Sequence, residues 1–143
     1  MGLMKLGLEV AKELIARAEE EAERIGVQMV ITIVDDGGNL IASHRMDDAW
    51  LASIDIAENK AWTAVALKTK TADLAEATTP HSELFGLNTT NNGRIVVFGG
   101  GIPLENENGI VGAIGVSGSS VENDIRVAEA GAELFTQQVE KMR

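Results

Sequence analysis

The sequence predicts a mixed α/β (α+β) domain, a mostly antiparallel sheet with helices packed against it. Two observations carry that prediction. Three stretches place apolar residues at three- and four-residue steps, the period of a helix lying on a core. The β-branched runs come in pairs, each pair split by a turn signal, so the strands arrive as hairpins. The resulting order, α-β-β-α-(α)-β-β-α, suits helices layered on an antiparallel sheet.

Taken in order, Ala11, Leu14, Ala18, Ala22 and Ile25 recur among Lys, Glu and Arg, which predicts an amphipathic helix over residues 8–25 ended by Gly26. Gln28 to Val34 reads as a strand, Asp35-Asp-Gly-Gly-Asn as a turn, and Leu40 to Arg45 as the returning strand. Residues 51–67 form a second helix, whose face Ser53, Ile56, Ala57, Lys60, Ala64 is small and mostly apolar apart from Lys60. Residues 71–77 predict a short helix capped by Thr71 and ended before Pro80. A polar connection over 82–92 leads to a third strand at Arg94–Phe98, closed by Gly99-Gly-Gly-Ile-Pro. Glu105 to Gly109 predicts a hairpin turn, and Ile110 to Val116 a fourth strand. The last helix carries Val121, Ile125, Ala128, Ala132, Phe135 and Val139 on one face. With no repeat, linker or low-complexity stretch, residues 1–143 read as a single domain.

Composition narrows the functional classes. The chain has 45% hydrophobic residues but only 3% aromatic ones, so Ala, Val, Ile and Leu must build the core. A formal net charge of −10 argues against binding nucleic acid or an anionic membrane surface. No apolar run approaches the roughly 20 residues that span a bilayer, and the N-terminal residues lack the apolar stretch of a secretory signal. The absence of cysteine removes disulfides, thiolate chemistry and cysteine-based metal sites. Together these predict a cytoplasmic protein.

The candidate site residues fall into five groups, each with a bland alternative. Ser117-Gly118-Ser-Ser joins a buried strand to a helix N-terminus, a geometry that aims backbone N–H groups at an anion; equally, Ser119 or Ser120 caps the helix and Gly118 relieves a tight turn. Gly99, Gly100 and Gly101, followed by Pro103, suit either close approach of a ligand or a flexible strand exit. Arg45, Met46, Asp47 and Asp48 cluster at the end of the first hairpin, where charges are usually solvated. Lys60 needs a partner if buried, and Asp47 or Asp124 can supply one; otherwise it snorkels to solvent. Asp124 in the first turn of the last helix is favoured there by the helix dipole whatever the function. His44 and His81, the only two imidazoles, are candidate axial ligands to a haem iron or corrinoid cobalt, or ordinary surface histidines.

Several of these pieces, read together, resemble one family. Val34-Asp-Asp-Gly-Gly-Asn-Leu, Arg45-Met-Asp-Asp-Ala, Lys60-Ala-Trp-Thr-Ala, Gly99-Gly-Gly-Ile-Pro-Leu and Val111-Gly-Ala-Ile-Gly-Val-Ser-Gly, with Asp124 following, are similar in order and content to the family that includes GlcG, the secreted haem-binding HbpS proteins and the C-terminal domain of PduO-type corrinoid adenosyltransferases. Ser43-His-Arg-Met and Arg94 to Pro103 look closer to the PduO-like version.

The resemblance implies a profilin-like domain that self-associates into a homo-oligomer, a dimer or larger. It implies haem or a related tetrapyrrole as ligand, and a link to glycolate, propanediol or glycerol pathways. It does not imply adenosyltransferase activity, which belongs to another domain of PduO. The family's haem-ligating histidine lies toward the N-terminal helix, whereas this chain has none before His44. His44, His81 or Met46 would have to substitute, or ligation is lost.

The leading expectation is therefore a non-catalytic ligand-binding accessory protein that takes haem, a corrinoid or a small carboxylate at a site between Gly99–Gly101, Ser117–Gly118 and Arg45. Two rivals stand beside it: an enzyme on a small carboxylate using Lys60 or Asp47 as acid/base, and a structural oligomer-forming subunit whose glycines serve packing.

Overall fold

A computed structural model describes residues 3–143. Three α-helices, α1 (Leu8–Ile25), α2 (Leu51–Leu67) and α3 (Val121–Lys141), surround a four-stranded sheet of β1 (Val30–Asp35), β2 (Leu40–Arg45), β3 (Gly101–Asn106) and β4 (Gly109–Ser117). The strand order is β2-β1-β4-β3 and every pairing is antiparallel. Helix α2 packs on one face, mainly against β4, β1 and β3; α1 and α3 pack side by side on the other.

The two-residue alternation of β1 explains the layers. Ile31 and Ile33 join the large core under α1 and α3, with Leu14, Ile15, Ile114, Val116 and Phe135. Val30 and Val34 point the other way, into small clusters with Ala49, Ala57, Ala61, Ala64 and Ala113. The second interface is thin because α2 offers mostly alanines. At Gly115, a Cβ would collide with the backbone carbonyl of Ala57 and lie 2.7 Å from the Ala61 nitrogen. The α2 face predicted from small residues is thus the close contact, with Ser53, Ala57, Lys60 and Ala64 buried and Ile56 half-buried.

Three sequence expectations need correction. Arg94–Phe98 is not the third strand. That segment lies outside the sheet ladder and is held to α2, where the Thr63 hydroxyl donates to the Arg94 carbonyl (3.3 Å) and accepts from the Val96 N–H (3.1 Å). The true β3 begins at Gly101, so the triple glycine leads into the strand instead of closing it. Pro103 lies within β3, tolerable because β3 is an edge. The short helix at 71–77 is two 3₁₀ turns, Thr71–Leu74 and Glu76–Thr78. Finally, the buried stripe of α3 begins at Asp124 and runs through Val127, Ala128, Gly131, Phe135 and Val139; Val121 is exposed and Ile125 and Ala132 are only half-buried. Asp124 is drawn inward by partners described below.

The β3 edge is blunted. The Gly101 N–H points away from β4 and donates to the Thr71 hydroxyl at 2.9 Å. Pro103, two residues on and facing the same way, has no N–H to offer.

Candidate functional site

Structure brings one group of the sequence-predicted residues together and leaves the rest apart. Lys60, from the middle of α2, reaches across the end of β4 to α3. Its Nζ donates to Asp124 Oδ2 (3.0 Å) and to the Val116 carbonyl (2.8 Å), and it sits 5.0 Å from the Phe98 ring centroid. Asp124 Oδ1 accepts from the Ser119 N–H at 2.9 Å. Lys60 is fully buried and Asp124 is 3% exposed. Burial, the larger influence on each, pushes the Lys60 ammonium below its ordinary range and the Asp124 carboxyl above its own; the attraction between them opposes both shifts.

The glycines and serines around this pair serve it. Val116 N donates to the Gly100 carbonyl at 2.9 Å, but Gly100 precedes β3, so the rung at the Val116 carbonyl is filled by Lys60. A Cβ on Gly100 would come within 2.5 Å of the Val116 oxygen and 2.7 Å of Lys60 Nζ, at a φ of +129° that side chains rarely adopt. Gly101 backs onto the Lys60 carbonyl. Ser117 donates to Ser53 across the β4–α2 interface at 3.0 Å. Two N–H groups at the α3 N-terminus are taken from within: Ser120 accepts from the Asn123 N–H, and Asp124 takes the Ser119 N–H. The N–H groups that would hold an anion are, at Ser119 and Asn123, already engaged.

Arg45 lies outside this cluster. Its guanidinium donates twice to the Ala49 carbonyl, at 2.7 and 3.0 Å, and closes the loop through Met46, Asp47 and Asp48. Met46 Sδ receives the Met29 N–H at 3.4 Å and its side chain packs on the large core. Asp47 is exposed. Beside Gly118 a cavity of about 220 Å³ is lined by Val27, Gln28, Asp48, Ala49, Trp50 and Ser119. Of the predicted junction, only Gly118 lines it; Arg45 and Ser117 do not. A larger groove of about 530 Å³ lies between β3 and α3, over Ile102, Leu104 and Ala132, and is rimmed by Glu105, Glu129 and Glu133 against a single Lys70.

The two histidines have different settings. His81 is exposed, in a left-handed backbone conformation (φ +73°) within the connection after Pro80. His44 lies on β2, its ring half-exposed, with Nδ1 3.2 Å from Glu19 Oε2 of α1. Sequence reasoning missed Glu19, one of several glutamates in Glu19-Glu20-Glu21; only the β2-to-α1 packing selects it. It also missed the stack of Arg94 on Trp62 (4.5 Å to the ring), held by Asn59 and Glu58 on the outer face of α2. Among the described residues no group of three or more His, Asp or Glu side chains is placed to hold a metal ion, and no helix is long and apolar enough to cross a membrane.

A four-stranded antiparallel sheet with one helix on one face and two on the other, closed by a buried Lys–Asp bridge at the strand–helix turn, defines the class. A profile of the HbpS-like family, described as haem degrading protein HbpS-like, matches residues 6–133, and the chain belongs to that family. An uncharacterized 15.0 kDa protein from the dhaT-dhaS intergenic region of Citrobacter freundii is 42% identical over 91% of this chain and 92% of its own length. The corrinoid adenosyltransferase PduO of the same organism is 43% identical over 88% of this chain, which spans only 38% of that longer protein. Two crystal structures superpose throughout: Klebsiella pneumoniae protein ORFY (TM-score 0.90, 39% identity, 95% of this chain and 94% of that one) and a PduOC–haem complex (TM-score 0.87, 38% identity, 91% and 94%).

Proposed function

We propose that the protein is a non-catalytic accessory that binds a tetrapyrrole of the haem class, as a cytoplasmic homo-oligomer serving diol, glycerol or glycolate metabolism. The observation that carries this reading is the match, at 38% identity and across 91% of the chain, to a domain crystallised with haem. The site chemistry is consistent with ligand binding and not with acid/base catalysis by Lys60, whose ammonium is sealed between Asp124 and the Val116 carbonyl and has no path to a substrate. Haem needs a donor to iron and a surface that tolerates two carboxylates. The acidic β3–α3 groove repels propionates. The β2–α1 flank offers an exposed imidazole. When bound, the tetrapyrrole would supply the metal centre; this chain would supply the donor and the orientation.

The test is titration of the purified protein with ferric haem and, in parallel, with cobalamin, following absorbance together with native mass. A saturable Soret shift with haem supports the reading. Saturation with cobalamin and none with haem moves the ligand to a corrinoid. Saturation with neither overturns the tetrapyrrole reading.

A further inference from the structure

We propose that the groove between β3 and α3 is a docking surface for a short basic amphipathic helix of a partner protein. The alternation of β3 turns Ile102 and Leu104 to the same side, into the core that α1 and α3 cover. The two are 8% and 1% exposed, so the floor of the groove is the lip of that core. On the facing wall, Glu129, Ala132, Glu133 and Thr136 stand at i, i+3, i+4 and i+7, one stripe of α3. Glu105 flanks the groove from the strand side. The opening of about 530 Å³ thus has an apolar floor and carboxylates on both walls, with Lys70 as the one cation lining it.

The rim lacks partners of its own. None of Glu105, Glu129 and Glu133 takes part in an ion pair among the described residues. Arg126, the one cation of α3 before Lys141, is turned to the other side, 3.2 Å from Glu21 of α1. Carboxylates gathered along the walls of a cleft raise the local concentration of cationic groups. The occupant's shape follows from β3. An added strand would need the outward donors of that edge, but the Gly101 N–H is bound to Thr71 and Pro103 has none. Binding therefore falls to side chains. From Glu129 to Thr136 the α3 wall runs about 10 Å, two turns of a helix lying beside it. Such a helix sets apolar side chains at i, i+3 and i+4 over Ile102, Leu104 and Ala132, while Lys or Arg on its flanks reach the glutamates. A second copy of this chain, of net charge −10, meets its own sign there.

The probe is a fluorescent peptide of three Lys-Leu-Leu-Lys units, and the readout is anisotropy on titration with the full chain. Wild type should bind it saturably, and more weakly as salt rises. Glu129→Gln/Glu133→Gln should bind about fivefold more weakly, the scale of two partly exposed ion pairs. Glu20→Gln/Glu23→Gln, on the exposed face of α1, removes the same net charge and should match wild type. All four side chains are exposed, and far-ultraviolet circular dichroism checks that both variants keep the fold. A peptide with Ser in place of Leu should bind at least about tenfold more weakly, having no apolar face for the floor. Equal losses in the two double variants would reduce the effect to general attraction by an acidic chain and overturn the groove assignment. Equal binding of the Ser peptide would overturn the amphipathic helix as occupant. No saturable binding by wild type would overturn the docking surface altogether, and a native mass that changes only in the groove variant would give the surface to a second copy instead.

Discussion

Replacing Lys60 by Met removes the cation that faces a carboxylate only 3% exposed. Asp124 keeps the Ser119 N–H but loses the 3.0 Å ammonium contact, and the Val116 carbonyl loses its 2.8 Å donor. Breaking a buried pair from one side costs about 3–5 kcal/mol, because the survivor is left charged and desolvated. Asp124→Leu should cost a similar amount, leaving the ammonium with only a carbonyl and the Phe98 ring. The double variant Lys60→Met/Asp124→Leu leaves no stranded charge. Its remaining defect is the unpaired Val116 carbonyl, worth about 1–3 kcal/mol, since the half-buried Ser119 N–H can find water. The additive expectation is about 6–10 kcal/mol, so the cycle should show strong coupling. Urea denaturation gives the free energies, and each single variant should melt about 6–20 °C lower than wild type. Single variants within 1 kcal/mol of wild type, or a double variant that simply sums the singles, would refute the view that the bridge is held by mutual dependence.

Two further outcomes follow from the same cluster. Asp124, raised by burial, contributes stability that is present below the ordinary value of 3.8 and is lost as pH rises through its native value; Lys60, lowered by burial, contributes stability present above 10.5 and lost as pH falls through its own. Wild-type stability should therefore sag between those limits relative to the double variant; a difference curve flat across that range would count against burial as the dominant influence. Gly100→Ala places a methyl 2.5 Å from the Val116 oxygen at positive φ and should cost at least about 2 kcal/mol in the same denaturation assay, whereas a near-neutral result would mean the turn relaxes freely.

How far the sequence could be read depended on whether local pattern and tertiary contact agreed. All three α-helices, the first hairpin and β4 were legible from period and turn chemistry, with bounds within about two residues. Arg94–Phe98 failed because Ile-Val-Val-Phe satisfies strand propensity wherever it lies extended; Thr63 on α2, not a neighbouring strand, takes its backbone groups. Gly101–Asn106, with a glycine, a proline and an asparagine, reads poorly as a strand, yet its pairing with β4 overrides that. Lys60 was marked by its apolar helix face, and Asp124 was one of two candidate partners. Which one served could not be read, because the choice depends on how the N-terminus of α3 turns over the end of β4. Glu19 was invisible for the same reason: helical spacing exposes many glutamates alike, and only the strand across from it makes one of them special.

The blunted β3 edge bears on how copies of this chain can add to one another. A sheet whose two borders both accept a strand can be extended without limit. Here one border has its first outward donor tied to Thr71 and its next replaced by proline, while the outer side of β2 has no backbone partner among the described residues. Two copies joined β2 to β2 would bury those borders and leave the blunted β3 borders outermost. Strand-to-strand addition through β2 would on that account favour a pair over a fibre.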